Sequence, residues 1–259
     1  MLTESMQEQC RRYDEVAAHW HMEPLVVTAH LSQPLSITRP HDLQFDGLLA
    51  HAILHALFED EAYHLPDPRE AWLWVPLPLA MHGDRLERLT GSILGEHEKR
   101  QWWWYACSTP EIAETAYTRQ YWNKRFNTDA SSDFIDFGKR RGVVITENGQ
   151  FKAYHQPLML VQTLIVTWHV VGDKTMIEET VRHCSGIGKK RAYGYGAVER
   201  WEVTPEEADR SLYTGDGILA RPVPLDALNM LGYNGPFSVQ YIAFRSPGWL
   251  PENQQECAL

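Results

Sequence analysis

The sequence has no apolar run long enough to cross a membrane. Its longest hydrophobic tract, residues 157–168, is interrupted by the polar side chains of Gln162 and Thr167. The N-terminus is polar from its third residue and lacks the apolar segment of a secretory signal. We therefore expect a cytoplasmic protein that does not enter the membrane.

Cysteine is scarce, and the spacings that hold metals and nucleotides are missing. The four cysteines stand tens of residues apart, which excludes the CxxC spacing of zinc sites and a dense disulfide framework. His51 and His55 have an i, i+4 spacing, but no HExxH pattern accompanies them. The Walker A pattern GxxxxGK[ST] is also absent. We expect neither a metal nor another cofactor.

Basic residues are outnumbered in the whole chain but concentrated in one part of it. The 259 residues include 34 Asp and Glu against 24 Lys and Arg, a net charge of −10 that by itself disfavours an anionic partner. Residues 119–200, however, carry 13 basic against 8 acidic side chains, a balance of +5, which leaves −15 for the remainder. The basic residues of this part form three clusters: Lys124 and Arg125; Lys139, Arg140 and Arg141; Lys189, Lys190 and Arg191. Solvated surface turns would explain any one cluster, whereas three clusters beside glycines and aromatics favour a binding surface.

The apolar pattern predicts alternating strands and helices around a sizeable core, since 44% of the residues are apolar. Residues 25–37 are typical of a strand with an extended continuation, and residues 45–57 place apolar side chains at helical spacing. Residues 158–171 predict one long buried strand, and residues 174–184 predict a helix. A last strand with alternating apolar and charged side chains is expected at residues 197–203.

Two segments depart from this pattern. Residues 117–153 are polar, basic and glycine-containing, and an Asn148–Gly149 turn between β-like segments predicts a basic hairpin. The chain beyond residue 205 is rich in Pro and Gly, which predicts an irregular, packed tail. We therefore expect one domain at residues 1–204, with an insertion at 117–153, followed by a C-terminal tail at 205–259.

A glycine-rich segment between the predicted helix and the last strand carries the most specific chemistry. Its glycines, cations and tyrosines are Gly186, Gly188, Lys189, Lys190, Arg191, Tyr193, Gly194, Tyr195 and Gly196. Glycines let backbone N–H groups approach phosphates, the cations neutralise them, and tyrosine rings can stack on bases. The segment precedes a strand, whereas a Rossmann fingerprint follows one. This pattern favours a nucleic-acid-binding loop; the alternative is a glycine-rich turn with ordinary surface charges.

Between the predicted helix and the last predicted strand, the segment GIGKKRAYGYGAVERWEV resembles the glycine-rich loop of the RAMP superfamily of CRISPR-associated proteins. The first strand and FDGLLAHAIL are similar to the first strand and helix of those domains. The matching parts are residues 25–58 and 158–203. The resemblance implies an α+β fold, an RRM-like ferredoxin fold with a glycine-rich loop, to which this chain adds the basic hairpin insertion and the irregular C-terminal tail.

Within that superfamily, the chain is most similar to the subunit that holds the 5′ handle of the guide RNA (Cas five-type) in class 1, type IV complexes. The resemblance implies a non-catalytic protein of antiviral defence that binds the CRISPR RNA, the repeated backbone subunit and the large subunit, with target DNA as a further candidate partner. The RNA-binding residues we expect are the glycine-rich segment, Gly186, Gly188, Lys189, Lys190, Arg191, Tyr193, Gly194, Tyr195 and Gly196, together with Lys139, Arg140, Arg141, Lys124 and Arg125.

Two other functions compete with this interpretation. A guide-processing endoribonuclease of the same superfamily needs a general base for the 2′-hydroxyl, for which His30, His155, His169 and His183 are candidates. His169 continues an apolar strand, where a hydrogen-bonded core histidine is the commoner role. The alternative from another class is a protein–protein interaction module that binds no RNA.

Overall fold

The structure, a computed structural model, describes residues 3–59, 62, 75–82, 102–113, 116–127, 147 and 152–259. Over these residues the protein is mixed α/β, with four helices and several antiparallel sheets. The helices are α1 (Glu4–Ala17), α2 (Phe45–Phe58), α3 (Lys174–Val181) and α4 (Leu225–Leu231). The strands are β1 (Glu23–Leu31), β2 (Leu35–Ser36), β3 (Met81–His82), β4 (Trp104–Tyr105), β5 (Glu111–Ile112), β6 (Ala116–Lys124), β7 (Tyr154–Gln162), β8 (Ile165–Gly172), β9 (Val198–Pro205), β10 (Val223–Pro224), β11 (Val239–Ala243) and β12 (Gln254–Ala258). None of the four described helices has the length and apolar character needed to span a bilayer.

The main sheet has the strand order β5-β8-β1-β9, and each neighbouring pair is antiparallel. Strand β1 alternates between buried and half-buried side chains, and its buried side, which includes Leu25 and Val27, packs in the main core with α2 and α3. Trp168 of β8 is fully buried, with its ring 5.4 Å from that of Phe45 on α2. The predicted first strand, first helix, second helix and last strand are confirmed as β1, α2, α3 and β9.

The prediction of one long strand at residues 158–171 is wrong, because the chain turns in the middle of it. Strands β7 and β8 are separated by Thr163 and Leu164, and they belong to different sheets. The Thr163 hydroxyl lies within hydrogen-bonding distance of the carbonyl oxygens of Ala113 (2.9 Å) and Ile165 (2.8 Å) and accepts from the N–H of Ile165 (3.3 Å), where the strand breaks. An apolar run does not distinguish one long strand from two strands that bury different ends of it.

Strands β6 and β7 form a long antiparallel pair, which we call the ribbon (residues 116–127 and 152–162). The pairing runs from Ala116 opposite Gln162 to Lys124 opposite Tyr154. The ribbon extends a sheet of order β2-β7-β6, with β6 at the edge. It flanks the predicted basic hairpin; Lys139, Arg140, Arg141 and the Asn148–Gly149 turn lie outside the described residues.

The C-terminal region contains a small sheet and a helix, so the prediction of an irregular tail is wrong for residues 223–231, 239–243 and 254–258. Strands β10, β12 and β11 form a three-stranded antiparallel sheet, and α4 packs beside it. A second core, which includes Trp104, Val223, Phe244 and Cys257, fills the space under this sheet. These strands have two to five residues, too few for periodicity to reveal among prolines and glycines. The boundary between a domain at 1–204 and a unit at 205–259 stays a prediction.

Arg221 connects the two cores. Its side chain is buried, and its guanidinium donates to the carbonyl oxygens of Tyr105 and Cys107 (2.9 Å for Cys107) in the main core and of Phe244 in the C-terminal core. Guanidinium has five N–H donors in a rigid fork, so one side chain can satisfy several buried carbonyls at once.

We expect Arg221→Met to lower the free energy of unfolding by about 2–4 kcal/mol, because three buried carbonyl groups lose a donor at once. Arg210→Met is the matched control: Arg210 is about half exposed and pairs with Glu206 at 3.2 Å, so its loss should cost less than about 1 kcal/mol. Urea unfolding of both variants measures the difference. Equal small losses would contradict the connecting role of Arg221.

Candidate nucleic-acid interface

The glycine-rich loop, residues 185–197 between α3 and β9, is fixed to the segment around β2 by backbone hydrogen bonds. The N–H of Lys189 donates to the carbonyl oxygen of Ser36 at 2.7 Å, and the N–H of Gly196 donates to the carbonyl oxygen of Pro34 at 2.8 Å. Both sides of the loop are therefore held against the same short segment. The side chains at its tip project from a defined backbone, which limits the entropy lost when they bind a ligand.

Two glycines are required by this close approach. Gly188 has a φ of +80°, and a Cβ there would lie 2.7 Å from the carbonyl oxygen of Ser36. Gly196 has a φ of +63°, and a Cβ there would lie 2.1 Å from the carbonyl oxygen of Ile187. Gly194 also has a left-handed φ, +88°, but no atom lies within 4 Å of the place its Cβ would take. Gly188 and Gly196 therefore serve packing, and Gly194 serves the turn.

The three cations of the loop have different surroundings. The ammonium of Lys190 lies 3.1 Å from the centroid of the Trp122 ring on the ribbon, a cation–π contact. The ammonium of Lys189 donates to the hydroxyl of Thr38. Both Lys189 and Arg191 are exposed, while Lys190 is half-buried. The loop thus presents two cations to solvent and uses the third to contact the ribbon.

The ribbon meets the loop through one of its two faces, which we call the inner face. Because successive side chains of a strand point to opposite sides, Gln120 and Trp122 share this face with Tyr154 of β7. The hydroxyl of Tyr195 donates to Oε1 of Gln120 at 2.6 Å, and Tyr193 meets the Trp122 ring edge-on at 5.4 Å. Both tyrosines of the loop therefore contact the inner face, Tyr195 through a hydrogen bond and Tyr193 through a ring contact, although Tyr193 stays 62% exposed.

Loop and ribbon together form a purely cationic surface. The described residues of the ribbon contain four basic side chains, Arg119, Lys124, Arg125 and Lys152, and no Asp or Glu. The loop adds three basic side chains and again no acid. Although the whole chain has a net charge of −10, the positive charge of this surface is suited to binding a polyanion.

The structure brings together two of the three predicted basic clusters. Lys124 lies on the inner face with its ammonium 5.8 Å from the Tyr154 ring, and that ring is 5.0 Å from Trp122. Arg125 follows at the end of β6 and is exposed. Lys139, Arg140 and Arg141 lie outside the described residues. The contacts of Trp122 were not predicted from the sequence, although the alternation of side chains in AYTRQYWNK is typical of a strand that presents two different faces.

The histidine pair on α2 lies near this surface. The rings of His51 and His55 are 4.3 Å apart. Burial, together with the neighbouring His55 and Arg191, lowers the pKa of His51 to about 4. The part of the chain that the structure describes contains no group of three or more His, Cys, Asp or Glu side chains able to hold a metal.

The four candidate bases of the nuclease alternative have separate surroundings. His30 pairs with Glu202 at 3.0 Å, and His169 pairs with Glu206 at 2.8 Å, both on the side of the main sheet away from its helices. His155 lies on the ribbon, and His183 is exposed beyond the end of α3. The expectation that His169 is hydrogen-bonded is confirmed, but its side chain, 12% exposed, lies on the face of the main sheet opposite the main core.

The fold and this surface define a mixed α/β protein with a rigid cationic loop beside a cationic ribbon, an arrangement suited to a polyanionic ligand. The family model of the CRISPR type IV associated protein Csf3 matches residues 23–255. The chain belongs to this family and is a component of a type IV CRISPR system of antiviral defence, as predicted. A comparison with curated proteins gives no match.

We expect Gly188→Ala and Gly194→Ala to differ in cost, although both glycines have a left-handed φ. Gly194→Ala should lower the free energy of unfolding by about 1 kcal/mol, from backbone strain alone. Gly188→Ala should cost about 1–3 kcal/mol more, because its Cβ must displace the Ser36 carbonyl. Thermal or urea unfolding measures both. Equal costs would show that the close approach to β2 contributes nothing to stability.

Proposed function

We propose that this chain is the non-catalytic subunit of a type IV CRISPR complex that holds the 5′ handle of the guide RNA. In this role it contacts the repeated backbone subunit and the large subunit, and target DNA is a further candidate partner. Family membership supports a role in a type IV complex. The observation that carries the RNA assignment is the glycine-rich loop, whose tip cations lie beside a ribbon with four basic and no acidic side chains among its described residues.

The topology of the main sheet supports the RRM-like part of the proposal. If the strands of the other sheets are left aside, the elements of this sheet follow one another as strand, helix, two strands, helix and strand, which agrees with the ferredoxin-like motif. The glycine-rich loop lies between the second helix and the last strand, as in the RAMP superfamily that the sequence resembles. Because a shared topology does not determine function, the RNA assignment depends on the surface formed by the loop and the ribbon.

The surface is better suited to phosphates than to base edges. The loop offers the exposed ammonium group of Lys189 and the exposed guanidinium group of Arg191 on a backbone fixed by hydrogen bonds. Such groups neutralise a strand in any sequence context and position it. A single subunit that holds the handle in each complex must bind its phosphates firmly. It needs no side chain that transfers a proton.

The surroundings of His30 and His169 favour a non-catalytic role for these two histidines. RNA cleavage needs a base and a cation at the scissile phosphate. His30 and His169 instead lie against the carboxylates of Glu202 and Glu206, and Arg200 already pairs with Glu202 at 3.0 Å. Carboxylates at these positions repel a phosphate.

A protein–protein interaction module without RNA is the competing class. It predicts that the native complex, or the purified chain, carries no nucleic acid. Our proposal predicts that RNA with the sequence of the guide can be extracted from it. Electrophoresis of the extracted nucleic acid, with nuclease digestion to identify RNA, separates the two.

We expect the triple variant Lys189→Ala, Lys190→Ala, Arg191→Ala to weaken RNA binding for every sequence tested and to reduce its salt dependence. Because the variant removes two solvent-exposed cations, Lys189 and Arg191, and Lys190, which contacts Trp122, the slope of log K against log [salt] should fall in magnitude by about 1.4 to 2, since each phosphate neutralised on a single strand contributes about 0.7. Binding titrations at several salt concentrations measure it. The triple variant Arg11→Ala, Arg12→Ala, Lys174→Ala removes as much charge from exposed helix positions and should leave the slope unchanged. An unchanged slope in the loop variant would remove these residues from the interface.

We expect the purified protein to leave its own repeat RNA intact, with or without a chelator, because His30 and His169 lie against carboxylates that repel a phosphate. The RNA should remain bound, as gel electrophoresis and a filter-binding assay would show. Specific metal-independent cleavage at the 3′ base of the repeat hairpin would overturn the assignment if substitution of His30, His155, His169 or His183 abolished it. The chain would then be the guide-processing endoribonuclease.

A further inference from the structure

The face of the ribbon that points away from the glycine-rich loop, which we call the outer face, is aromatic and exposed. Tyr117 and Tyr121 of β6 lie on it, and so does Met159 of β7. The exposed fractions are 59% for Tyr117, 52% for Tyr121 and 41% for Met159. Large apolar side chains clustered on one exposed sheet face indicate a contact surface.

One pair on this face has the geometry of a stacking platform. The rings of Tyr121 and His155 lie 4.4 Å apart and within 7° of parallel. The two residues are diagonal neighbours on the paired strands, because Tyr121 is opposite Pro157 and His155 is opposite Asn123. Nδ1 of His155 is also hydrogen-bonded to the side chain of Asn123. The strand register and this hydrogen bond fix the plane of the two rings while leaving Tyr121 half exposed.

The charge of the ribbon indicates what this platform binds. Arg119 shares the outer face with Tyr121, and no acidic side chain is present in the described residues of either strand. A protein partner with an acidic patch would meet the cations but would not use parallel flat rings in particular. A single-stranded nucleic acid uses both, since phosphates contact the cations and bases stack on the rings.

The position of the ribbon lets one strand of RNA reach both faces of the ribbon. Strand β6 is the edge of its sheet. Its inner-face residue Trp122 contacts Lys190 of the loop, while the adjacent residue Tyr121 points to the outer face. An RNA strand whose phosphates bind at the loop can therefore pass around the edge of β6 and bring an unpaired base to Tyr121.

We propose that the Tyr121–His155 pair stacks an unpaired base of the guide's 5′ handle, on the same RNA whose phosphates bind at the glycine-rich loop. The inference rests on the proposed function and adds a second, chemically different contact. The loop supplies charge neutralisation, and the outer face supplies stacking. Stacking on an aromatic ring accepts any base, because every base has a π-face.

The test uses the full chain and single-stranded RNA of the handle sequence with 2-aminopurine at successive positions. Stacking should quench the fluorescence of the label at one position. Tyr121→Ala should remove this quenching and weaken binding about tenfold, within the range of measured base–aromatic stacking contributions. Tyr121→Trp should retain both. Tyr241→Ala is the matched control, because Tyr241 is 64% exposed on β11 of the C-terminal sheet, and it should bind like the wild type.

Salt dependence distinguishes failure of this inference from failure of the proposed function. Tyr121→Ala should leave the salt slope unchanged, since every cation that faces a phosphate remains, whereas the triple loop variant reduces it. Wild-type affinity and quenching in Tyr121→Ala, together with a weakened loop variant, would overturn the stacking site and leave RNA binding standing. If the wild type binds no handle RNA, the proposed function fails, and the stacking site fails with it. Unfolding curves of Tyr121→Ala and Tyr121→Trp verify that both variants are folded.

Discussion

The interface depends on one close approach, that of the glycine-rich loop to the segment around β2. The N–H groups of Lys189 and Gly196 donate to the carbonyls of Ser36 and Pro34, and Gly188 has no room for a side chain at the same contact. Because β2 also pairs with β7, this contact joins the main domain to the ribbon. A loop held this way presents its cations without first ordering its backbone, so less conformational entropy is lost on binding.

Charge is divided in the chain in a way that suits a subunit of an assembly. The described loop and ribbon residues carry seven basic and no acidic side chains, while the protein as a whole has a net charge of −10. Long-range repulsion of a polyanion by the acidic remainder is screened within about 10 Å at moderate salt. Under the proposed function, the local cationic surface therefore decides whether RNA binds.

The parts of the fold that could be predicted are those coded by neighbouring residues. Helix α2 is evident from its apolar spacing, and the loop from glycines and cations within eleven residues. The ribbon face escapes prediction because Trp122 acquires its partners from β7 and from the loop through pairing over about 30 and 70 residues. The apolar run at residues 158–171 is misleading because two strands that are buried in different sheets have the same apolar composition as one long buried strand. The C-terminal sheet escapes prediction because its strands are too short to show a period.

Ultraviolet cross-linking of the native type IV complex, followed by mass spectrometry of the linked peptides, tests the central claim most directly. Our account predicts cross-links between guide RNA and two regions of this chain: the glycine-rich loop at 185–197 and the ribbon, with Tyr121 and Tyr193 among the linked side chains. Cross-links confined to the C-terminal sheet or to the main-sheet face around His30 and His169, or none to this chain, would contradict it.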